Sequence, residues 1–146
     1  MPKVFTSKTQ RIGELGEDIA CKYLISKGFK VIERNYTKKW GEIDIVASKD
    51  RKIYFIEVKA VSCVTLPPVS YETGGSSVEF TEKSKQTYFR PEENMHSIKV
   101  RKFLRTIQTY LIQKAIEGEW QADLYCVYIH IPTRTARVKL IPNITY

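Results

Sequence analysis

The sequence predicts an α/β protein in which a mixed β-sheet is flanked by helices. Helical spacing of apolar residues occurs over residues 7–28 and again from about Ser97, and strand-like apolar runs lie between and after these two segments. The predicted element order is α-β-β-β-α-β-β, a pattern typical of a sheet covered by helices. At 146 residues the chain is expected to form a single domain, residues 1–146.

Both helices show start or stop signals in the sequence. Ser7 with Gln10 resembles a capping box, which marks the beginning of the first helix. Gly28 suits the left-handed position that commonly follows a helix. In the second helix the apolar spacing runs from Ile98, and Gly118 is expected to end it.

Three strands are predicted between the helices, at residues 29–36, 42–47 and 52–60, with residues 48–51 forming a polar turn. In the third, the run from Ile53 to Ile56 is apolar throughout rather than alternating. Such a run is typical of a central strand covered on both faces. Residues 122–131 and 136–141 are expected to form a closing hairpin.

Residues 62–94 interrupt these patterns. They contain a Pro-Pro, a Gly-Gly-Ser-Ser and little periodicity. We therefore expect a long loop or small hairpin inside the domain, of a length that usually indicates a functional or mobile segment.

The charge balance favours a polyanionic partner. With 24 Lys+Arg against 16 Asp+Glu, the net charge is +8 and the pI is near 9.4, which indicates nucleic acid first and an acidic membrane second. No apolar run approaches the ~20 residues of a membrane helix. The first ten residues lack an apolar signal core, so a cytoplasmic location is expected. The three widely spaced cysteines, Cys21, Cys63 and Cys126, are expected to be reduced and structural.

Two acids and a lysine stand out on the second and third strands. Glu57 and Lys59 are two residues apart, so they project from the same face of their strand. If the hairpin pairs Ser48 with Ile53, the same register places Asp44 opposite Glu57, with Cβ atoms roughly 5 Å apart.

Facing carboxylates repel each other, and a hard divalent cation, Mg²⁺ above all, would offset that repulsion. Lys59 on the same face would then stabilise charge on a phosphate, an arrangement that suits phosphodiester hydrolysis. The alternative is a surface hairpin with ordinary ion pairs. From the residues alone a third acid, Glu17 in the first helix, is at least as well explained as a solvated side chain near a helix N-terminus.

The combination of motifs resembles the YraN family of bacterial proteins. The resemblance rests on Gly13-x-x-Gly16-Glu17 with Ala20, Tyr23, Leu24 and Gly28, then on Arg34-Asn35-Tyr36, Gly41-Glu42-Ile43-Asp44 and Glu57-Val58-Lys59. That family is similar in fold to archaeal Holliday-junction resolvases and the PD-(D/E)xK superfamily. The resemblance implies a restriction-endonuclease-like fold.

It also implies roles for individual residues. Asp44 and Glu57 match metal ligands for Mg²⁺, with Mn²⁺ as a substitute. Lys59 matches the catalytic lysine. Glu17 matches the helical acid that completes the site. Lys99 matches a basic position expected to contact nucleic acid, and Lys102 lies on the same polar side of the helix; simple solvation is the alternative for Lys99. Two features depart from the family pattern: Ala60-Val61 follow the lysine, where a polar or basic pair is common, and residues 62–94 are longer than expected.

The resulting hypothesis is a Mg²⁺-dependent endonuclease acting on DNA, favoured over RNA, and selective for branched or structured substrates. The alternative is a non-catalytic nucleic-acid-binding module of the same fold. No membrane partner is expected, and since resolvase-like relatives often dimerise, a homodimer is an expected assembly.

Overall fold

The computed structural model describes residues 7–63 and 97–144. These residues form two helices and five strands, which in chain order are α1 (Lys8–Ser26), β1 (Lys30–Lys38), β2 (Gly41–Lys49), β3 (Lys52–Ser62), α2 (Ser97–Gln113), β4 (Trp120–His130) and β5 (Thr135–Ile141). The predicted element order is confirmed. From residue 64 onward the predicted 62–94 insertion lies outside the described residues, so its loop or hairpin character stays a prediction, as does the single-domain organisation.

The five strands form one mixed sheet in the order β1-β2-β3-β4-β5. Neighbouring strands are antiparallel except for β3 and β4, which are parallel and joined by a connection that contains α2. A parallel pair needs such a crossover, usually helical. This α/β architecture is consistent with the restriction-endonuclease-like fold.

Helix α1 begins and ends at the predicted signals. The Ser7 hydroxyl accepts a hydrogen bond from the Gln10 N–H at 3.1 Å, and the Gln10 side chain accepts one from the Ser7 N–H at 3.3 Å. Gly28 has a φ of +88°, and the Phe29 N–H returns to the Leu24 carbonyl. Both the capping box and the left-handed glycine are therefore confirmed.

Helix α2 ends earlier than predicted. The helix stops at Gln113 rather than continuing to Gly118, so the prediction that Gly118 ends it is wrong. Ala115 adopts a left-handed φ of 50°, and the Ile116 N–H turns back to the Leu111 carbonyl at 2.9 Å. This local hydrogen bonding closes the helix without a glycine, and the sequence shows no signal for it.

Strand β3 occupies the centre of the sheet, as its apolar run predicts, and the hairpin register is also confirmed. Ser48 pairs with Ile53, and the ladder continues to Ile45 opposite Ile56. Ile45 and Ile56 belong to the cluster that packs under α1, whereas Val46 and Phe55 pack against α2. The two helices therefore cover opposite faces of the same pair of strands.

Two glycines bring the helices close to the sheet. A Cβ at Gly16 of α1 would overlap the Cβ of Ala60 on β3. A Cβ at Gly41 would lie 2.5 Å from Thr106 Oγ1 and 3.0 Å from the Lys102 carbonyl oxygen on α2. Because the α1 backbone at Gly16 lies directly against Ala60, the residue at position 60 must be small. This gives a physical reason for alanine at a position where the family resemblance predicts a polar residue.

The cysteines Cys21, Cys63 and Cys126 form no disulfide, as expected. None of the described helices combines the length and the apolar character needed to cross a bilayer.

Candidate active site

Asp44 lies at the point where the β2–β3 ladder ends. The last described pair joins Ile45 to Ile56, and one position beyond it the Asp44 Oδ2 accepts a hydrogen bond from the Val58 backbone N–H at 2.8 Å. The predicted register thus holds as far as the pair Ile45–Ile56, and the predicted pair Asp44–Glu57 is not part of the ladder, because there the Asp44 side chain replaces the backbone as the partner of β3. This bond fixes a carboxylate that is only 8% exposed.

Asp44 is one of three carboxylates that lie close together. One oxygen from each of Glu17, Glu42 and Asp44 lies within 4.8 Å of the other two. Glu17 comes from α1, whose close approach to β3 at Gly16 brings its backbone down onto the sheet. Glu42 comes from the start of β2, next to Gly41. The structure therefore brings together Glu17 and Asp44, as the resemblance predicts, and adds a residue that it did not single out.

Glu42 is the functional candidate that sequence reasoning missed. It stands two residues before Asp44 within the quoted Gly41-Glu42-Ile43-Asp44 motif, so a period-two reading of the strand could have placed both acids on one face. When the Asn35 amide is oriented with its nitrogen toward the acids, which satisfies its hydrogen bonding, this nitrogen donates to Glu17 Oε2 at 3.2 Å and to Glu42 Oε1 at 3.3 Å. Asn35 adopts a left-handed φ of 54°, which asparagine tolerates, and this backbone conformation sets the direction of its side chain.

Arg34 offsets part of the negative charge on α1. Its guanidinium lies 2.9 Å from Asp18 Oδ1 and 3.7 Å from Glu17 Oε2. A groove of about 370 Å³ opens beside these side chains and is also lined by Gln10 and Gly13. Glu17 is therefore accessible from the surface, unlike Asp44.

Glu57 and Lys59 lie on the face of β3 that is covered by α2, and here Lys99 joins them. Glu57 Oε1 is 3.4 Å from Lys59 Nζ and 3.1 Å from Lys99 Nζ. The side chain of Glu57 is 11% exposed, so this is a largely buried carboxylate between two ammonium groups. Lys99 thus contacts a predicted metal ligand directly, whereas the Lys102 side chain is exposed one helical turn further along α2.

The electrostatics of the site centre on Asp44. Burial first, and then the charge of Glu57, raise the pKa of Asp44 from 3.8 to about 9, with smaller contributions from Glu17 and Glu42; only the Val58 N–H acts in the opposite direction. A carboxyl group held among other carboxylates binds either a proton or another cation strongly.

The two lysines shift in opposite directions. Burial, and then the contact with Lys99, lower the pKa of Lys59, although Glu57 opposes this. Burial also opposes the protonation of Lys99, but its contacts with Lys59 and Glu57 together raise its pKa. Lys59 is therefore the member of the pair that releases its proton more readily.

Hard oxygen ligands of this kind fit a hard divalent cation. Mg²⁺ binds through one or a few carboxylates together with water and phosphate oxygens, and Mn²⁺ accepts the same ligands. Glu17, Glu42 and Asp44 form one group of mutually close oxygens, and the charge of Glu57 also acts on Asp44. The predicted ligand pair, Asp44 and Glu57, therefore interacts electrostatically, but Glu57 is not among the three mutually close acids.

Comparisons with known proteins place the chain in a family. A sequence model described as "Uncharacterised protein family UPF0102" matches residues 16–71. A UPF0102 protein of Campylobacter fetus subsp. fetus (strain 82-40) is 31% identical over 139 residues, which cover 95% of this chain and 97% of that protein. The chain belongs to the UPF0102 family. A UPF0102 protein of Campylobacter lari (strain RM2100) is 35% identical over 134 residues, or 92% of this chain and 93% of its own length.

UPF0102 is the YraN family, so the resemblance seen in the sequence is confirmed. The range that the family model matches includes all four candidate catalytic residues, Glu17, Asp44, Glu57 and Lys59. Lys99 and Lys102 lie outside it.

Proposed function

We propose that this UPF0102 protein is a Mg²⁺-dependent nuclease that hydrolyses DNA phosphodiester bonds, with branched or otherwise structured DNA as its substrate. The observation that supports this most directly is the placement of Asp44. It is a buried carboxyl group close to Glu17 and Glu42, and it also feels the charge of Glu57, which is paired with Lys59. Burying that much like charge is costly unless a cation compensates it.

Asp44 and Glu57 would hold the metal, with Glu17 and Glu42 as further oxygen donors. Bound Mg²⁺ supplies Lewis-acid stabilisation of the charge that builds up on the phosphate during hydrolysis. The Val58 N–H keeps the Asp44 carboxylate in one orientation, and Asn35 ties Glu17 to Glu42, so that the oxygens are positioned before any ligand arrives.

Lys59 would act on the phosphate. Its ammonium lies within ion-pair distance of Glu57 and can donate hydrogen bonds to a phosphate oxygen, which favours the more negative transition state. Because burial and the contact with Lys99 lower its pKa, Lys59 releases a proton more readily than an ordinary lysine. Lys99 holds Glu57 from the α2 side and keeps a positive charge there when Lys59 loses its own.

The test is a cleavage assay with labelled four-way junction, flap, single-stranded and duplex DNA in Mg²⁺ or Mn²⁺. We expect Asp44→Asn and Glu57→Gln each to reduce the rate by about 10²-fold or more, on the scale of a lost electrostatic contribution to a transition state. Asp50→Asn is the matched control for the first, because Asp50 is exposed in the turn at the other end of β2 and its φ of 50° suits asparagine. Glu119→Gln, also exposed, is the control for the second.

Cleavage that is equal in wild type, Asp44→Asn and Glu57→Gln would overturn the assignment of the site. The same holds if activity persists undiminished in EDTA, because the metal would then have no role.

One observation favours a second candidate function, a nucleic-acid-binding module without turnover. Glu57 is already neutralised by Lys59 and Lys99, so its burial needs no metal. For such a module we expect salt-sensitive binding of DNA that Asp44→Asn and Glu57→Gln leave unchanged, and no cleavage with either metal.

A further inference from the structure

A strip of basic side chains runs from the candidate active site along the outer side of α2. Lys99 contacts Glu57 at the site, Lys102 follows one turn later, and Arg105 follows after another turn. The strip thus advances about 9 Å along the helix axis between Lys99 and Arg105. A single DNA strand of B-form rises ~3.4 Å per nucleotide, so this length corresponds to two to three nucleotides.

An aromatic side chain stands at the far end of the strip. The Arg105 guanidinium lies over the Trp40 indole, with Cζ 4.5 Å from the ring centroid. Trp40 belongs to the β1–β2 turn and is brought against α2 by the next residue, Gly41, whose position leaves no room for a Cβ beside Thr106. The Trp40 Nε1 is buried without an acceptor among the described residues, so packing and the arginine hold the ring in place.

The contact with Trp40 does not consume the hydrogen bonds of Arg105. A guanidinium positioned over an aromatic ring is attracted to the face of the ring, so N–H groups that point away from the ring can still donate to phosphate oxygens. Within residues 7–63 and 97–144, no carboxylate forms an ion pair with Lys39, Lys102 or Arg105, and all three side chains are exposed. By contrast, Lys59 and Lys99 at the site are paired with Glu57.

We propose that Trp40 and Arg105, together with Lys39 and Lys102, form a phosphate-binding surface that holds the DNA backbone next to the acidic site. Trp40 acts by orienting Arg105, and Lys102 lies between Arg105 and Lys99, which contacts Glu57 at the site. The inference rests on the proposed function for its choice of DNA as the ligand. It differs from that proposal because it assigns a binding surface that contains none of the acidic residues. The α2 residues of this surface, Lys102 and Arg105, also lie outside the range that the family model matches.

Binding is measured without metal, so that the presence or absence of cleavage does not affect the result. A fluorescein-labelled single-stranded DNA oligonucleotide and its duplex are titrated with protein in EDTA, and anisotropy is followed at several salt concentrations. Arg105→Ala should weaken binding about 5- to 20-fold, as expected for a lost charge-assisted hydrogen bond. It should also reduce the slope of log K against log salt by about one, the signature of one lost phosphate contact.

Arg137→Ala is the matched control. Arg137 is exposed on β5, the opposite edge of the sheet from β1, and its removal lowers the net charge by the same amount. It should leave both the affinity and the salt slope near the wild-type values. Arg105→Lys retains the charge but not the planar group, so it should keep the salt slope while weakening binding.

Tryptophan fluorescence tests the role of the ring independently. The sequence has two tryptophans, so the change in emission on adding unlabelled DNA is compared between wild type and Trp40→Phe. We expect the change to disappear in Trp40→Phe although Trp120 is still present. The proposal is overturned if Arg105→Ala binds as Arg137→Ala does, if no DNA binds in EDTA at low salt, or if the emission change is the same in both proteins. A nuclease with any of these results would still satisfy the proposed function.

Discussion

Replacing Asp44 by asparagine should make the metal-free protein more stable. The substitution is nearly isosteric, and the asparagine side-chain oxygen can still accept the hydrogen bond from the Val58 N–H. What it removes is a carboxyl group that is 8% exposed and within the field of Glu57, and that stays buried only by binding a proton or a cation. A residue that destabilises the fold in the absence of ligand is typical of functional sites.

The size of the effect follows from the pKa. Asp44 has a pKa of about 9 in the folded protein against 3.8 ordinarily. Between these values the folded protein holds a proton that the unfolded chain has released, so the free energy of unfolding falls as pH rises, by about 1.4 kcal/mol per unit. At pH 7 the upper bound is about 4 kcal/mol, and water entry and local relaxation reduce it, so we expect Asp44→Asn to gain about 1–3 kcal/mol.

The assay is urea unfolding in EDTA at pH 4, 5, 6, 7 and 8, with Asp50→Asn as control. The difference between Asp44→Asn and wild type should be small near pH 4 and should grow up to pH 8, because a raised carboxyl pKa destabilises only above the unfolded value. Added Mg²⁺ should stabilise the wild type and not the variant. A variant that is less stable than wild type at pH 8, or a difference independent of pH, would refute the reasoning.

Three further predictions concern residues that line or support the site. Gly16→Ala should lower the free energy of unfolding by about 1–3 kcal/mol, because the added Cβ would overlap the Cβ of Ala60. Urea unfolding measures this change, and an unchanged midpoint would contradict the close approach of α1 to β3 at Gly16. Glu42→Gln should weaken Mg²⁺ binding about tenfold or more in calorimetry, whereas an unaltered affinity would exclude Glu42 from the site. Asn35→Asp adds a charge between Glu17 and Glu42, so it should destabilise the protein by about 1–2 kcal/mol in EDTA, with Mg²⁺ reversing the loss; equal stability with and without metal would argue against this.

Local signals in the sequence were sufficient for most of the fold. The capping residue Ser7, the left-handed Gly28 and the unbroken apolar run on β3 each have one dominant physical cause, and the structure confirms all three. The end of α2 was predicted wrongly because it depends on hydrogen bonds around Ala115, a residue without a conformational preference for the left-handed region.

The candidate site was predictable in part. The hairpin register follows from the turn and is confirmed as far as Ile45 opposite Ile56, and the charge of Glu57 acts on Asp44, one residue further along β2. The contribution of Glu42, and the contact of Lys99 with Glu57, depend on how the ladder ends and where α2 crosses the sheet. The pairing of Trp40 with Arg105 joins residues 65 positions apart, and no periodicity in a single sequence reports a contact of that kind.

The most direct test of the account is a crystal structure of the protein soaked in Mn²⁺, with anomalous diffraction data. We expect one anomalous peak within coordination distance of Asp44 and Glu57, with Glu17 or Glu42 beside it, and no such peak in Asp44→Asn crystals treated in the same way. A wild-type crystal without a peak at these carboxylates, while Glu57 stays paired with Lys59 and Lys99, would contradict the proposed metal site.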